Sequence, residues 1–223
     1  MPEPLFRLYL ITDRHLPVPC LSADTGQTGQ TSGRSLIDIV KEALAGGVKA
    51  VQLREKDLPI RELLLLAEEM RKITKEAGAL LFINGRIDVT MAVEADGIHL
   101  GQSDLPVDVA RNIVGNRFMI GVSTHNLIEA KEAETGGADF ITFGPVYETP
   151  SKLKYGKAIG IEALKEAKGG VSIPVYAIGG IKSGDIKQIL EARADGVAII
   201  SAIIGAKEPK KAVEELLKYT PSP

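Results

Sequence analysis

The feature that most constrains this chain is a repeat. The segments AGGVKAVQL, AVEADGIHL, TGGADFITF and EARADGVAII each join a helix end to a small or acidic turn and then to a short strand. They return at intervals of roughly 45 to 55 residues, and further strand-helix pairs lie between them, so the period spans two βα units. A two-unit period is what a barrel core layered by alternate strands demands. The strands are near-continuous apolar runs, which suits parallel strands buried on both faces. Counted along the 223 residues, the pattern gives eight strands and eight helices. The fold expected is a single-domain (β/α)8 TIM barrel near its lower size limit, with an open doubly wound sheet as the alternative.

Phe6 to Thr12 reads as the first strand and runs into Asp13-Arg14. Leu16 to Arg34 has prolines and glycines near each end, with Ser, Thr and Gln, and no helical period; it is expected to be a long flexible loop, either a surface insertion or a mobile lid. Ser35 is placed to cap a helix that ends at Gly46-Gly47. Strands are then expected at Val48 to Leu53, Ala79 to Ile83, Asp96 to Leu100, Phe118 to Val122, Asp139 to Phe143, Ile173 to Ile178 and Gly196 to Ile200. Helices are expected over Pro59 to Ala77, Arg86 to Val93, from near Pro106, and over Asn126 to Thr135, Gly160 to Ala167, Ser183 to Glu191 and Lys210 to Lys218.

A formal net charge of −2 gives no electrostatic reason to expect nucleic acid or an anionic membrane as partner. Cys20 is the only cysteine, so neither an internal disulfide nor a multi-cysteine metal site can form, and a reducing cytoplasm is expected. The first residues meet charge after a few apolar positions and carry no small-residue cleavage pattern, which argues against a signal peptide. No run approaches the roughly 20 apolar residues of a membrane span.

In a parallel barrel the strand ends share one rim, and the reactive groups belong there. Leu81 to Asp104 shows the arrangement in miniature, one strand ending in Asn84-Gly85-Arg86 and the next in Gly101-Gln102-Ser103-Asp104. The other rim turns are Asp13-Arg14, Arg54-Glu55-Lys56, Ser123-Thr124-His125, Thr149 to Lys152, Gly179-Gly180-Ile181 and Ser201. Cations, hydroxyls and small residues together suit phosphate, because glycine lets backbone N–H groups approach an anion closely. Gln52, Arg54 and Lys56 alternate, so they point to one face; two cations there call for an anion, unless Glu55 and Asp57 neutralise them in a surface cluster. The Gly180 turn and Ile200-Ser201 follow the last two strands, where barrels commonly bind phosphate, although a tight turn alone also requires glycine. Asp104 is a carboxylate that could hold Mg²⁺ with phosphate and waters, or simply end a turn before Pro106. His99 and His125 carry side chains that could titrate near neutrality, and His99, on a strand, could equally be packed.

The segments LYLITD, VQLREK, ADGIHLGQSD, IGVSTH, FGPVYETPSK, AIGGI and ADGVAIISAI, spread over nearly the whole chain, resemble the thiamine phosphate synthase family and its thiazole tautomerase branch. The resemblance implies condensation of hydroxymethylpyrimidine diphosphate with thiazole phosphate. It implies that Gln52, Leu53, Arg54, Glu55, Lys56, Asn84, Ser123 and Lys152 hold the diphosphate substrate. Arg54, Lys56, Ser123 and Lys152 would be catalytic. Thr149, Pro150, Ser151, Gly180, Ile200 and Ser201 would hold the thiazole phosphate, and Asp104 would bind Mg²⁺. The partners implied are small-molecule phosphates and diphosphates, with a homo-oligomer left open. One position departs from the synthase pattern. Asn84-Gly85-Arg86 stands where the synthases usually read Asn-Asp-Arg, so a second metal carboxylate is missing, as in the tautomerases. Those, however, carry a histidine after the glycine of the sixth strand's turn, where this chain has Pro145 after Gly144. Synthase, tautomerase and a non-catalytic paralogue therefore all stand, with synthase favoured by the diphosphate-binding positions.

Overall fold

The computed structural model describes residues 6–16, 34–149 and 158–220. Nearly all of the loop expected over 16–34 lies outside them, as do Pro150, Ser151 and Lys152. The strands are β1 (Leu8–Ile11), β2 (Ala50–Leu53), β3 (Leu80–Asn84), β4 (Gly97–Leu100), β5 (Met119–Thr124), β6 (Phe140–Phe143), β7 (Val175–Ile178) and β8 (Gly196–Ile199). Each pairs parallel with the next and β8 returns to β1, so the sheet closes into the expected (β/α)8 barrel. Around it run α1 (Leu36–Ala45), α2 (Ile60–Glu76), α3 (Ile87–Ala92), α4 (Val107–Val114), α5 (Leu127–Thr135), α6 (Gly160–Gly170), α7 (Ile186–Glu191), α8 (Ser201–Ile204) and α9 (Pro209–Leu217). None of the described helices is long and apolar enough to cross a membrane.

Local chemistry sets several of these boundaries. Ser35 caps α1 by accepting the Asp38 N–H, and Asn126 caps α5 by accepting the Glu129 N–H. Pro106 sits one residue earlier than expected, in the cap position, with the helix opening at Val107. The expected helix over Ser183 to Glu191 is divided into a 3-10 turn, Ser183–Asp185, and α7. Sequence reading missed α8 altogether, because four residues directly after a strand carry no helical period.

The two-unit repeat has a direct structural cause. Asp96, just before β4, accepts from the Leu81 N–H of β3 and from Arg71 of α2, both at 2.7 Å. Before β6, Asp139 accepts from the Ile120 N–H of β5 and from Arg111 of α4, both at 2.6 Å. Before β8, Asp195 accepts from the Val175 N–H of β7 at 2.8 Å and from Lys168 of α6 at 2.6 Å. Each aspartate thus ties an even strand to the odd strand before it and to the helix preceding that odd strand. Lys49 occupies the corresponding place before β2 and donates to Ala77 O instead.

Strand alternation separates two apolar layers. One face of the sheet, with residues such as Leu10, Val51, Leu81, Ile98, Ile120, Ile141, Val175 and Val197, packs against the helices. The other fills the barrel. Although aromatics make up only 4% of the chain, Phe6, Tyr9, Phe82, Phe140 and Tyr176 gather there. Phe6 stacks on Tyr176 at 4.5 Å between ring centroids, and Phe82 meets Phe140 edge-on at 5.2 Å. Aromatic packing plugs the barrel interior, while the polar interior positions occur toward the carboxyl ends of the strands.

Candidate active site

The ends of β2, β3 and β5 supply polar groups of the mouth. Gln52 on β2, Asn84 on β3 and Ser123 on β5 share the inward parity of Tyr9 on β1 and His99 on β4; Asn84 is directly in register with His99. β5 runs to Thr124, further than expected, so Ser123 is held by strand pairing to Thr142 rather than sitting in a turn. The Ser123 carbonyl accepts from Gln102 Nε2 at 2.6 Å, which ties the β4 turn to β5.

The run Gln52 to Lys56 divides by parity. Leu53 is buried in the layer between sheet and helices, so only its backbone is available to a ligand. Glu55 is buried as well, and accepts from Thr12 Oγ1 at 2.6 Å, from Arg14 N–H at 3.2 Å and from the Arg14 guanidinium at 3.4 Å. Arg14 also forks onto Asp57 at 2.6 and 2.7 Å, which holds the Asp57 carboxyl well below its ordinary range. The surface cluster in which Glu55 and Asp57 would neutralise Arg54 and Lys56 does not form: Arg14 takes both acids, and Glu55 is buried. Among the described residues, the Arg54 and Lys56 side chains have no acid partner. Both lie close enough to His99 for their charge to disfavour its protonation. Thr12 Oγ1 accepts the Arg54 N–H at 2.9 Å while donating to Glu55, and so fixes where β2 ends.

Asp104 closes its own turn. Its N–H donates to Gly101 O at 3.0 Å and its Oδ2 accepts the Gly101 N–H at 2.7 Å. Oδ1 faces the space above Gly85, where a Cβ would stand 2.8 Å away. Asp88, in the first turn of α3, forks onto Arg86, which lowers its pKa. Among the described residues no group of three or more His, Cys, Asp or Glu side chains gathers to hold a metal. One carboxylate oxygen that accepts no hydrogen bond among the described residues nevertheless fits an ion that takes its remaining ligands from phosphate and water, as Mg²⁺ does.

On the far side of the rim, Gly179 and Gly180 have φ of +98° and +67°, and a Cβ on Gly180 would meet Glu148 O at 2.5 Å. Turn geometry therefore demands these glycines by itself. The Gly180 N–H finds no acceptor among the described residues. Ser201, exposed, opens α8 directly after Ile200, and Thr149 is half-buried at the edge of the described residues.

His99 takes the packed alternative. It is fully buried, and burial first, then the charges of Arg54 and Lys56, push its pKa down to about 3, so it does not titrate near neutrality. His125 pairs with Glu129 at 2.9 Å on the surface of α5. Sequence reasoning passed over Tyr9 and Thr12; the strand parity that puts Gln52 inside points to Tyr9 as well.

A closed parallel barrel whose carboxyl-end rim carries hydroxyls, a glycine turn and cations without an acid partner among the described residues has the layout on which (β/α)8 proteins commonly bind phosphate. The sequence model described as thiamine monophosphate synthase matches residues 21–203. The putative thiamine-phosphate synthase of Geobacter sulfurreducens is 50% identical, across 97% of this chain and 95% of its own. The thiamine-phosphate synthase of Moorella thermoacetica is 45% identical, across 82% of this chain and 88% of its own. A solved thiamine phosphate pyrophosphorylase from Pyrococcus furiosus superposes with a TM-score of 0.82 at 39% identity, covering 96% of this chain and 95% of that one. The chain belongs to the thiamine monophosphate synthase family.

Proposed function

We propose that the chain is a thiamine phosphate synthase, a transferase that joins hydroxymethylpyrimidine diphosphate to thiazole phosphate and releases diphosphate. The observation that carries this reading is the division of charge at the end of β2. Arg14 takes both neighbouring acids, and Arg54 and Lys56 are left without one among the described residues. Two adjacent cations favour a multiply charged anion. The tautomerase alternative has no use for a diphosphate site, and Pro145 has no side-chain proton to move.

In this reading the bond between the pyrimidine methylene carbon and the diphosphate oxygen breaks, with the electron pair leaving on diphosphate. The thiazole nitrogen then donates its lone pair to the resulting pyrimidine methyl cation. Arg54, Lys56 and Lys152 neutralise the charge that grows on the leaving group. Asn84 and Ser123 donate hydrogen bonds to the same substrate, while Gln52 supports them from below. Thr149, Pro150, Ser151, Gly180, Ile200 and Ser201 hold the thiazole phosphate, so the two partners meet in attack geometry. No side-chain nucleophile takes part. Asp104 would hold Mg²⁺ together with diphosphate oxygens, and the ion would add charge neutralisation to the leaving group.

Incubation with both substrates and Mg²⁺ tests the reading: thiamine phosphate and diphosphate are expected in equal amounts. Isomerisation of the thiazole phosphate without condensation would overturn it in favour of the tautomerase.

A further inference from the structure

A line of polar side chains crosses the barrel below the mouth. Gln52 Nε2 lies 3.2 Å from the Tyr9 hydroxyl, that hydroxyl lies 3.4 Å from His99 Nδ1, and His99 Nε2 lies 3.0 Å from Ser123 Oγ. Gln52, Tyr9 and His99 are each no more than 1% exposed. Space for the imidazole is made by Gly121 on β5, where a Cβ would stand 2.7 Å from His99 Nδ1 and 2.3 Å from Phe140 Cζ.

The chemistry of each group sets the direction of the line. An amide nitrogen only donates, so the Tyr9 oxygen accepts from Gln52 and turns its own proton to His99 Nδ1. A neutral imidazole that accepts at Nδ1 carries its proton on Nε2, and that N–H donates to Ser123 Oγ. Thr142 Oγ1 approaches the same serine oxygen from β6 at 3.5 Å. With its oxygen engaged from within, Ser123 has its proton left to direct toward the mouth. The groups around the ring favour neutrality: Tyr9 from β1, the two cations from the end of β2, Ser123 from β5 and the Phe140 ring from β6, with no acid among them.

We propose that His99 is a positioning residue: with Gln52 and Tyr9 it forms a donor relay across the barrel that holds the Ser123 hydroxyl outward as a hydrogen-bond donor to the diphosphate of the substrate. The identity of the ligand rests on the synthase reading; the direction of the relay rests on geometry alone.

The first measurement needs no variant. ¹⁵N-histidine NMR of the full chain should show His99 with a protonated Nε2 and an unprotonated Nδ1, unchanged between about pH 5 and 8. Tyr9→Phe keeps the ring in the aromatic cluster but removes the donor, and should populate the opposite tautomer. Calorimetry with inorganic diphosphate and Mg²⁺ supplies the second readout. Tyr9→Phe and Ser123→Ala should each weaken binding by about tenfold, a typical loss for one hydrogen bond to a charged group. Their double variant should lose no more than Ser123→Ala alone. His99→Gln, which still offers a donor toward Ser123, should bind more tightly than His99→Leu. A wild-type Nδ1–H tautomer, or losses from Tyr9→Phe and Ser123→Ala that multiply in full, would overturn the relay. The expected tautomer in a wild type that does not bind diphosphate would instead overturn the ligand assignment, and the synthase reading with it.

Discussion

Gly85 and Asp104 share one niche at the mouth of the barrel. A Cβ on Gly85 would stand 2.8 Å from Asp104 Oδ1 and 3.1 Å from both Cγ and Oδ2, and Gly85 has a φ of +66°. The backbone N–H of Gly101 already holds Asp104 Oδ2 at 2.7 Å, so the carboxylate cannot move aside freely. A side chain at position 85 would therefore be directed at the oxygen available to a metal.

Gly85→Asp should accordingly behave oppositely with and without metal. In metal-free buffer two carboxylates would face each other on a left-handed backbone, at a cost of about 1–3 kcal/mol in stability. With Mg²⁺ and diphosphate present the added ligand should lower the Mg²⁺ concentration needed for half-maximal rate. Urea denaturation in chelator and a Mg²⁺ titration of the condensation check the two halves. Equal Mg²⁺ dependence in the two proteins would show that position 85 does not face the ion.

The aspartate ties beneath the even strands should differ in strength. Asp195 pairs with Lys168, whose side chain is only 5% exposed, so Asp195→Ala would leave a buried ammonium uncompensated and should cost about 3–5 kcal/mol. Arg111 bonds the carbonyls of Gly115, Phe118 and Gly137 as well as Asp139. Asp139→Ala, at a more exposed site, should therefore cost about 1–2 kcal/mol. Chemical denaturation of both variants gives the order, and the reverse order would sink the argument.

Burial of His99 also predicts a pH dependence. Its pKa falls from 6.5 to about 3 on folding, so between those values the unfolded chain binds a proton that the folded chain refuses. Stability therefore rises with pH in that window; the contribution is complete above 6.5 and is lost as pH falls toward 3. The carboxyls of Asp57 and Asp88, also lowered, act in the same direction but only below 3.8. Between pH 7 and 5, wild type should lose up to about 2 kcal/mol more than His99→Gln. Parallel losses in urea titrations at the two pH values would mean that His99 charges freely.

The barrel was legible in the sequence because its cause is local. The residues that make Asp96, Asp139 and Asp195 recur are the same ones that bond the neighbouring strand, so the repeat in the chain is the repeat in space. Boundaries were less legible where tertiary contacts decide them: Ser123 and Thr124 look like turn residues but are drawn into β5 by pairing with Thr142 and Phe143. Charge partners were the least legible. Arg14 precedes Glu55 by 41 residues, and nothing in REKD says that its acids are taken from outside the run. His99 is packed, as its place on a strand allows, yet its contact with Ser123 follows only once β4 and β5 lie side by side.

That partition of charge leads to a kinetic prediction for the end of β2. If Arg54 acts on the diphosphate as it departs, its interaction is stronger in the transition state than in the bound substrate. Arg54→Ala should then lower kcat by about 10²–10³, comparable to removing one charge-stabilising donor elsewhere, with a much smaller change in KM for the diphosphate substrate. Lys152→Ala should show the same split. Thr12→Val makes the contrast, because it removes the hydroxyl that seats the Arg54 backbone and Glu55 while leaving the guanidinium in place. Its effect should be mainly a loss of about 1–2 kcal/mol in stability with a modest fall in kcat. A pure KM effect for Arg54→Ala in steady-state kinetics would reduce Arg54 to a binding group and move the leaving-group role to Lys56 and Lys152.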